Sequence, residues 1–183
     1  KNNFFPSGIS FSKIISYAIF LHIGTLLAAL VYFRTKILNL LKNIFTYRKL
    51  NIEKKSELHF IALVTLISGI IGIVLLKIVE RYELFFAQTT LINALVAMFL
   101  LITALFLFVS ESYTNDTRKK PLTFLQGIIT GIFQGLSALP GISRSGSTIA
   151  AMGLLGIEKK RALELSFILS IPLVLGANIF LNL

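Results

Sequence analysis

Long apolar stretches alternate with short polar connections along the chain, and four of them are long enough to cross a bilayer as helices, which takes about 20 residues each. They lie near residues 14–33, 58–79, 84–109 and 162–183. Gly69 and Gly72 in the second stretch predict a face for close helix packing. The pattern predicts an all-α integral membrane protein whose transmembrane helices form a single membrane domain over residues 1–183.

A further apolar region, residues 121–156, is broken by the polar residues 140–148. Basic clusters at 118–120 and 159–161 flank it, and the positive-inside rule places both in the cytoplasm. The region must then enter and leave the membrane on one side, because its return limb of about ten residues is too short to span. The pattern predicts a re-entrant helical hairpin with residues 140–148 at its tip, as part of an inverted-repeat architecture.

The connection at residues 34–57 is strongly basic, which places it in the cytoplasm by the same rule. Within it, apolar residues recur at helical spacing, namely Ile37, Leu40, Leu41 and Ile44. This spacing favours an amphipathic helix that lies along the lipid headgroups. The alternative is a solvated run of charges that only sets the topology.

The composition supports a membrane location. The 183 residues are 55% hydrophobic and 14% charged, whereas soluble domains are about one quarter charged. The net charge of +10 lies in short connections rather than on one face, which argues against a nucleic-acid-binding surface. The chain has no cysteine, so disulfides and cysteine-based metal sites are excluded. Since it begins at Lys1 without an initiator methionine, we expect a fragment of a longer chain.

The polar residues 140–148 have the makeup of an anion-binding site. The planar guanidinium of Arg144 matches phosphate oxygens. Gly141 and Gly146 expose backbone N–H groups, hydroxyls such as that of Ser145 add donors, and the start of the next helix adds a positive dipole end. An unpaired arginine in hydrocarbon is costly, so we expect Arg144 to face a ligand, a partner or a water-filled cavity.

Catalysis makes further demands on this chain. Ser143, Ser145 or Thr148 could attack a phosphate, but a nucleophilic hydroxyl needs a base within reach. The acidic residues lie in connections or near span ends, which leaves His22 as the intramembrane base candidate. His22 could equally serve as a hydrogen-bonding residue between packed helices. The purely structural alternative for the tip is a helix break with Arg144 paired to a carbonyl oxygen.

Residues 134–148 read QGLSALPGISRSGST and resemble the second signature of the undecaprenyl-diphosphate phosphatase family, the bacitracin-resistance proteins, which has the form PGxSRSxxT. Two more stretches agree with that family, LHIGTLLA at 21–28 with VYFR at 31–34, and SFILSIP at 166–172. The resemblance covers essentially the whole chain in order. Archaeal relatives share the pattern, so the lipid could be another polyprenyl.

The resemblance implies a multi-pass phosphatase of the cell membrane with inverted-topology repeats. Such an enzyme removes the terminal phosphate of a polyprenyl diphosphate and regenerates the monophosphate carrier for envelope synthesis. Ser143, Arg144 and Thr148 match the family residues that contact the diphosphate, and they are the predicted catalytic residues. The predicted substrate-binding residues are Gly141, Ser145, Gly146 and His22. The resemblance also implies a divalent cation, Mg²⁺ or Ca²⁺, whose ligands are not visible in this chain, and a homodimer is a further expectation.

The chain departs from the family pattern in ways that affect this prediction. The glutamate-rich signature and the serine-rich segment ending in Gly-His are absent, and we expect them before Lys1, with further helices after Leu183. Tyr17 and Ala18 stand where the family often has Phe-Asp. The chain would then hold half a site. The rival functions are a lipid-phosphate transporter or flippase, and a relative that binds the lipid diphosphate without hydrolysing it.

Overall fold

The structure, a computed structural model, describes residues 11–82, 89–111 and 120–182, and the regular elements in these ranges are all helices. They are α1 (Phe11–Tyr32), α2 (Arg34–Phe45), a 3₁₀-helix (Tyr47–Lys49), α3 (Ile52–Arg81), α4 (Thr89–Glu111), α5 (Phe124–Leu136), α6 (Arg144–Leu154) and α7 (Lys159–Asn182). The predicted all-α class is confirmed. Residues 84–88 of the third predicted span and residues 118 and 119 of the first basic cluster lie outside the described residues.

Three helices are long and apolar enough to cross a membrane, namely α3, α4 and α7 over Ile52–Val79, Ile92–Glu111 and Lys159–Ile179. Helices α1 and α2 meet the same criterion only together, and they join at a bend of 78°. Helices α5 and α6 have 13 and 11 residues. At 1.5 Å per residue they extend only about 20 Å and 16 Å, which is less than the ~30 Å apolar thickness of a bilayer.

A ridge of glycines on α5 packs directly against α3. A Cβ atom added to any of these glycines would lie 2.7–2.9 Å from a side chain of α3. The pairs are Gly127 with Leu63, Gly131 with Ile67, and Gly135 with Ile71. Both members of each pair advance by four residues, which is about one helical turn. The two helices therefore run parallel, and each turn of α5 packs against one turn of α3.

The prediction that Gly69 and Gly72 form the close-packing face of α3 is wrong for the described helices. A Cβ atom at either position would have no atom within 4 Å. The close approach is made by glycines of α5, and α3 contributes the branched side chains of Ile67 and Ile71. The small residue of α3 that does lie in this contact is Ser68, whose Cα would be 3.3 Å from a Cβ atom added to Gly135.

Hydrogen bonds tie the two limbs of the α5–α6 hairpin together at its base. Thr123 and Gln126 form a capping box that starts α5, with a bond of 3.2 Å from the Gln126 N–H to the Thr123 hydroxyl. The side-chain amide of Gln126 donates to the carbonyl oxygen of Leu155 at the end of α6, at 3.1 Å. Arg161 Nη1 donates to the carbonyl oxygen of Lys120 at 2.7 Å. The entry and the exit of the hairpin therefore lie side by side.

The same end of the helical bundle also holds the first turns of α3 and the last turn of α4. The backbone N–H of Leu122 donates to Ser56 Oγ of α3 at 3.1 Å, and Lys159 Nζ lies 2.6 Å from Glu111 Oε1 of α4. We call this the basic end, because exposed lysines and arginines collect there: Arg34, Lys42, Arg48, Lys49, Lys54, Lys120, Lys159 and Lys160.

Candidate functional site

The candidate site is built at the start of α6, where the hairpin turns. Ser143 is the N-cap of this helix, and its hydroxyl accepts a hydrogen bond of 3.2 Å from the N–H of Gly146. The N–H groups of a first helical turn have no partner within the helix, so they carry partial positive charge. Together with Arg144, the first residue of α6, they form a donor surface suited to a phosphate.

Gly141 brings the hairpin tip onto α4. Its φ of +97° is a left-handed conformation that side chains disfavour. An added Cβ would also lie 2.6 Å from the Cα and 2.8 Å from the carbonyl oxygen of Val96. The predicted role of Gly141 as an exposed N–H donor stays a prediction. What the structure shows is a glycine required both for the turn and for contact with α4.

Gly146, in the first turn of α6, makes a second close contact with α4. An added Cβ would lie 2.7 Å from Thr103 Cγ2 and 3.1 Å from Ser143 Oγ. Any larger residue would therefore disturb both the packing on α4 and the N-cap. Gly141 and Gly146 together set the depth of the tip along α4.

The guanidinium of Arg144 reaches across to α7. Its Nη1 donates to the backbone carbonyl oxygen of Ser166 at 3.2 Å, and the residue is half-buried. The pairing of Arg144 with a carbonyl oxygen, which was the structural alternative from the sequence, is therefore present, but it involves one nitrogen atom of the guanidinium. A guanidinium has five N–H donors, and this is the one hydrogen bond its side chain makes among the described residues. The remaining donors are available to an anion.

Thr148 and Ser166 are hydrogen-bonded to Arg144 and to each other. The Thr148 hydroxyl donates to the carbonyl oxygen of Arg144 at 2.7 Å and lies 2.8 Å from Ser166 Oγ. Since Thr148 has a single proton, and that proton is engaged at 2.7 Å, Ser166 is the donor between the two hydroxyls. Both side chains are fully buried. Ser166 therefore contacts Arg144 through its carbonyl oxygen and Thr148 through its hydroxyl.

The structure brings most of the predicted site residues together, since Ser143, Arg144, Ser145, Gly146 and Thr148 lie within the first turns of α6. Ser145 is exposed at its start. Their contact with a diphosphate stays a prediction.

His22 lies apart from this group. Its side chain is exposed on α1, and its carbonyl oxygen accepts a hydrogen bond of 2.8 Å from Thr25 Oγ1. Helix α1 packs against α7. Among the described residues no hydrogen bond joins His22 to the hairpin, so its role as a substrate-binding residue stays a prediction.

Two buried polar residues were assigned no role of their own from the sequence. One is Ser166, although it opens the matching stretch at 166–172. The other is Gln134, which is fully buried and whose side-chain amide donates to Ser68 Oγ of α3 at 3.1 Å. The sequence does carry a sign of both residues, because each is a polar residue within an apolar run. A polar residue in such a run is costly unless it has a hydrogen-bonding partner.

The described residues supply anion binding more clearly than nucleophile activation. None of their carboxylates or imidazoles is hydrogen-bonded to Ser143 or Thr148, and none of their His, Asp and Glu side chains form a group of three that could hold a metal ion. The divalent cation implied by the resemblance therefore has no ligand set in the described part of the chain. What the geometry offers is a half-buried guanidinium next to the start of a helix, and both groups are suited to bind an anion.

Comparison with known proteins adds independent information. The family described as "Bacitracin resistance protein BacA" matches residues 2–183. The chain is 38% identical over 171 residues to an undecaprenyl-diphosphatase of Saccharolobus islandicus, covering 93% of the chain and 60% of the relative. It is 37% identical over 187 residues to one of Methanosphaera stadtmanae (94% and 63%) and 36% identical over 170 residues to one of Treponema denticola (90% and 60%). The chain spans about three fifths of the length of these curated relatives.

Proposed function

The chain belongs to the BacA family of bacitracin resistance proteins, and from this premise we propose that the protein hydrolyses a polyprenyl diphosphate of the undecaprenyl type. The relatives compared above bear the name undecaprenyl-diphosphatase. In the proposed reaction the oxygen of water bonds to the terminal phosphorus, and the bond from that phosphorus to the bridging oxygen breaks. The products are inorganic phosphate and the polyprenyl monophosphate, which returns to cell-envelope synthesis as a lipid carrier.

The observation that supports this proposal is the position of Arg144 at the start of α6. Its guanidinium is held by Ser166 on one side and leaves donors for the terminal phosphate on the other. The N–H groups of Arg144 and Ser145 would add a second set of donors for this phosphate, whereas that of Gly146 is bonded to Ser143 Oγ. As the bridging bond breaks, negative charge develops on the phosphate oxygens, and fixed donors of this kind stabilise it.

We also propose a location for this site. Gly141 touches Val96, which lies inside the apolar length Ile92–Glu111 of α4, so the tip would sit at membrane depth. Both limbs return to the basic end, as a re-entrant hairpin would. In the cell membrane, with the basic end in the cytoplasm, the tip would be reached from the outer side. There the prenyl chain could stay in lipid while the diphosphate contacts Arg144.

The proposal leaves the activation of water to groups other than Ser143 and Thr148. The hydroxyl of Ser143 accepts the capping bond, and that of Thr148 is bonded to the Arg144 carbonyl. A divalent cation, Mg²⁺ or Ca²⁺, is part of the proposal from the resemblance alone. No step is routed through it, because the described residues do not offer its ligands.

The test is the substitution Arg144→Ala in the full-length protein, with release of phosphate from undecaprenyl diphosphate as the measurement. We expect kcat/KM to fall at least about a hundredfold, the effect of removing one preorganised charge-stabilising donor, with membrane insertion unchanged. Arg48→Ala is the matched control, because Arg48 is an exposed arginine at the basic end, away from the hairpin tip. Near-normal turnover in Arg144→Ala would overturn the site. If the wild-type protein binds undecaprenyl diphosphate without releasing phosphate, the proposed hydrolysis is wrong and only lipid binding remains.

A further inference from the structure

Helix α2 has an apolar stripe that no other described helix covers. Leu38, Leu41, Ile44 and Phe45 are all exposed, and Phe45 reaches 89%. At 100° per residue these four side chains and Arg34 share one side of the helix. Lys42 lies at the edge of this side, and Asn39 lies on the other side. An exposed stripe of this kind marks an interaction surface rather than a water-facing helix.

The remaining edge of α2 is fastened to the protein. Lys36 Nζ lies 2.7 Å from Glu164 Oε2 on α7 and 3.7 Å from Glu57 Oε1 on α3. Just before the helix, the ring of Phe33 packs on that of Phe167 at 5.7 Å between centroids. With the 78° bend after α1, these contacts hold α2 across the basic end of the bundle. Helix α2 therefore does not continue α1 across the membrane.

The depth of α2 follows from its partners. Glu57 and Glu164 lie in the second turns of α3 and α7, close to the start of the apolar stretches at 58–79 and 162–183. A helix fastened there lies at the boundary between the apolar layer and the headgroups. On that boundary Arg34 and Lys42 of α2 are exposed, and the basic end carries further exposed cations such as Lys49 and Lys160.

We propose that α2 docks on anionic phospholipids, with its apolar stripe in the acyl boundary and Arg34 and Lys42 against the lipid phosphates. The charge of the basic end selects this occupant, because lysines and arginines at a membrane surface attract anionic headgroups. Apolar side chains at the end of α1, such as Val31 and Tyr32, are exposed as well. The docking surface is separate from the Arg144 site and does not depend on hydrolysis.

Tryptophan fluorescence tests the proposal directly, because residues 1–183 contain no tryptophan, and any tryptophan elsewhere in the full-length protein is first replaced by phenylalanine. Phe45→Trp places a reporter on the stripe, Asn39→Trp places one on the polar side, and Leu101→Trp places one on an exposed position of the apolar helix α4. Each variant of the full-length protein is reconstituted in vesicles of phosphatidylcholine and phosphatidylglycerol. In one set the phosphatidylglycerol has brominated acyl chains, and in the other the phosphatidylcholine has them, since bromine quenches only adjacent tryptophan.

We expect Trp at 45 to be quenched several-fold more by brominated phosphatidylglycerol than by brominated phosphatidylcholine, and Trp at 101 to be quenched equally by both. Trp at 39 should be quenched by neither. Combining Phe45→Trp with Arg34→Gln and Lys42→Gln should bring the ratio of quenching by the two brominated lipids at position 45 close to one. High salt should have the same effect, because it screens the attraction between exposed charges. An unquenched Trp at 45 would overturn the proposal, and a blue-shifted emission would then identify a protein segment as the occupant. Equal quenching at 45 by both lipids would overturn the anionic preference.

Discussion

At the scale of single residues, Ser166 links the parts of the Arg144 site. Its carbonyl oxygen accepts from Arg144 Nη1 and its hydroxyl bonds to Thr148, whose own proton goes back to the Arg144 carbonyl. The three residues thus form a closed ring of hydrogen bonds in a buried place. In such a ring each hydrogen bond polarises and strengthens its neighbours. The loss of one hydroxyl therefore weakens the remaining hydrogen bonds of the ring. Ser166 is a positioning residue in this arrangement.

Ser166→Ala should lower kcat/KM roughly three- to tenfold, because one buried hydrogen bond contributes about 0.5–1.5 kcal/mol. The measurement is phosphate release from undecaprenyl diphosphate, with kcat and KM determined separately. We expect the loss mainly in kcat, since the ring orients Arg144 toward charge that develops in the transition state.

Ser170→Ala is the matched control for this prediction. Ser170 is also buried on α7, but its hydroxyl donates to the Phe167 carbonyl of the same helix, at 2.6 Å. The two variants should lose similar stability, and Ser170→Ala should keep its turnover. If both variants lose turnover equally, Ser166 has only a structural role.

At the scale of helices, the position of the hairpin depends on glycines that meet side chains of the spanning helices. The ridge Gly127, Gly131 and Gly135 sets α5 against α3, and Gly146 sets α6 against α4. Without a hydrophobic driving force between helices in lipid, close packing of this kind is the main source of their association. The glycine spacing therefore determines where the tip residues lie along α3 and α4.

Gly131→Ala should destabilise the protein, although alanine favours helices over glycine by about 1 kcal/mol. The added Cβ would lie 2.9 Å from Ile67 Cβ, and the neighbouring backbone atom, Val64 Cα, is only 3.4 Å away. Overpacking of this kind costs about 1–3 kcal/mol. Gly72→Ala on α3, where a Cβ meets no atom within 4 Å, should be neutral or stabilising. Unfolding in detergent measures both variants, and equal stability would contradict the packing role of the ridge.

At the scale of the whole molecule, the basic end collects the entry of the hairpin, its exit, the start of α3 and the end of α4. The tip meets α4 at Val96, far from this end. A chain region that begins and finishes at one end cannot connect the two sides of a bilayer. The arrangement therefore supports a site that opens away from the basic end.

Cysteine labelling measures this topology, because the chain has no cysteine of its own. Thr123→Cys and Lys160→Cys replace exposed residues at the entry and exit of the hairpin, and Ser145→Cys replaces an exposed residue at its tip. We expect an impermeant maleimide to label positions 123 and 160 from the cytoplasmic side and position 145 from the outer side. Labelling of 123 and 160 from opposite sides would show that residues 121–156 cross the membrane.

Much of the fold and part of the site could be predicted, because the relevant signals are local. Apolar length predicts a helix of membrane dimensions, and paired basic clusters indicate a region that returns to one side. Ser143, Arg144 and Thr148 lie within two turns of one helix, so any helix beginning near Ser143 brings them together. The position of His22 relative to the hairpin could not be predicted in this way, because it depends on how α1 packs on α7.

By itself, then, the sequence determined the all-helical class, the presence of a break in the hairpin and the family, whereas the structure places that break at residues 137–143, since α6 already begins at Arg144. The tertiary structure decided that Ser166, 22 residues from Arg144, supports it. It also decided that the glycines of α5 rather than Gly69 and Gly72 form the close contact with α3, and that Lys36 fastens α2 to α7. The physical reason is that periodicity specifies which residues share a face of one helix. Which two faces meet depends on packing between segments that are distant along the chain.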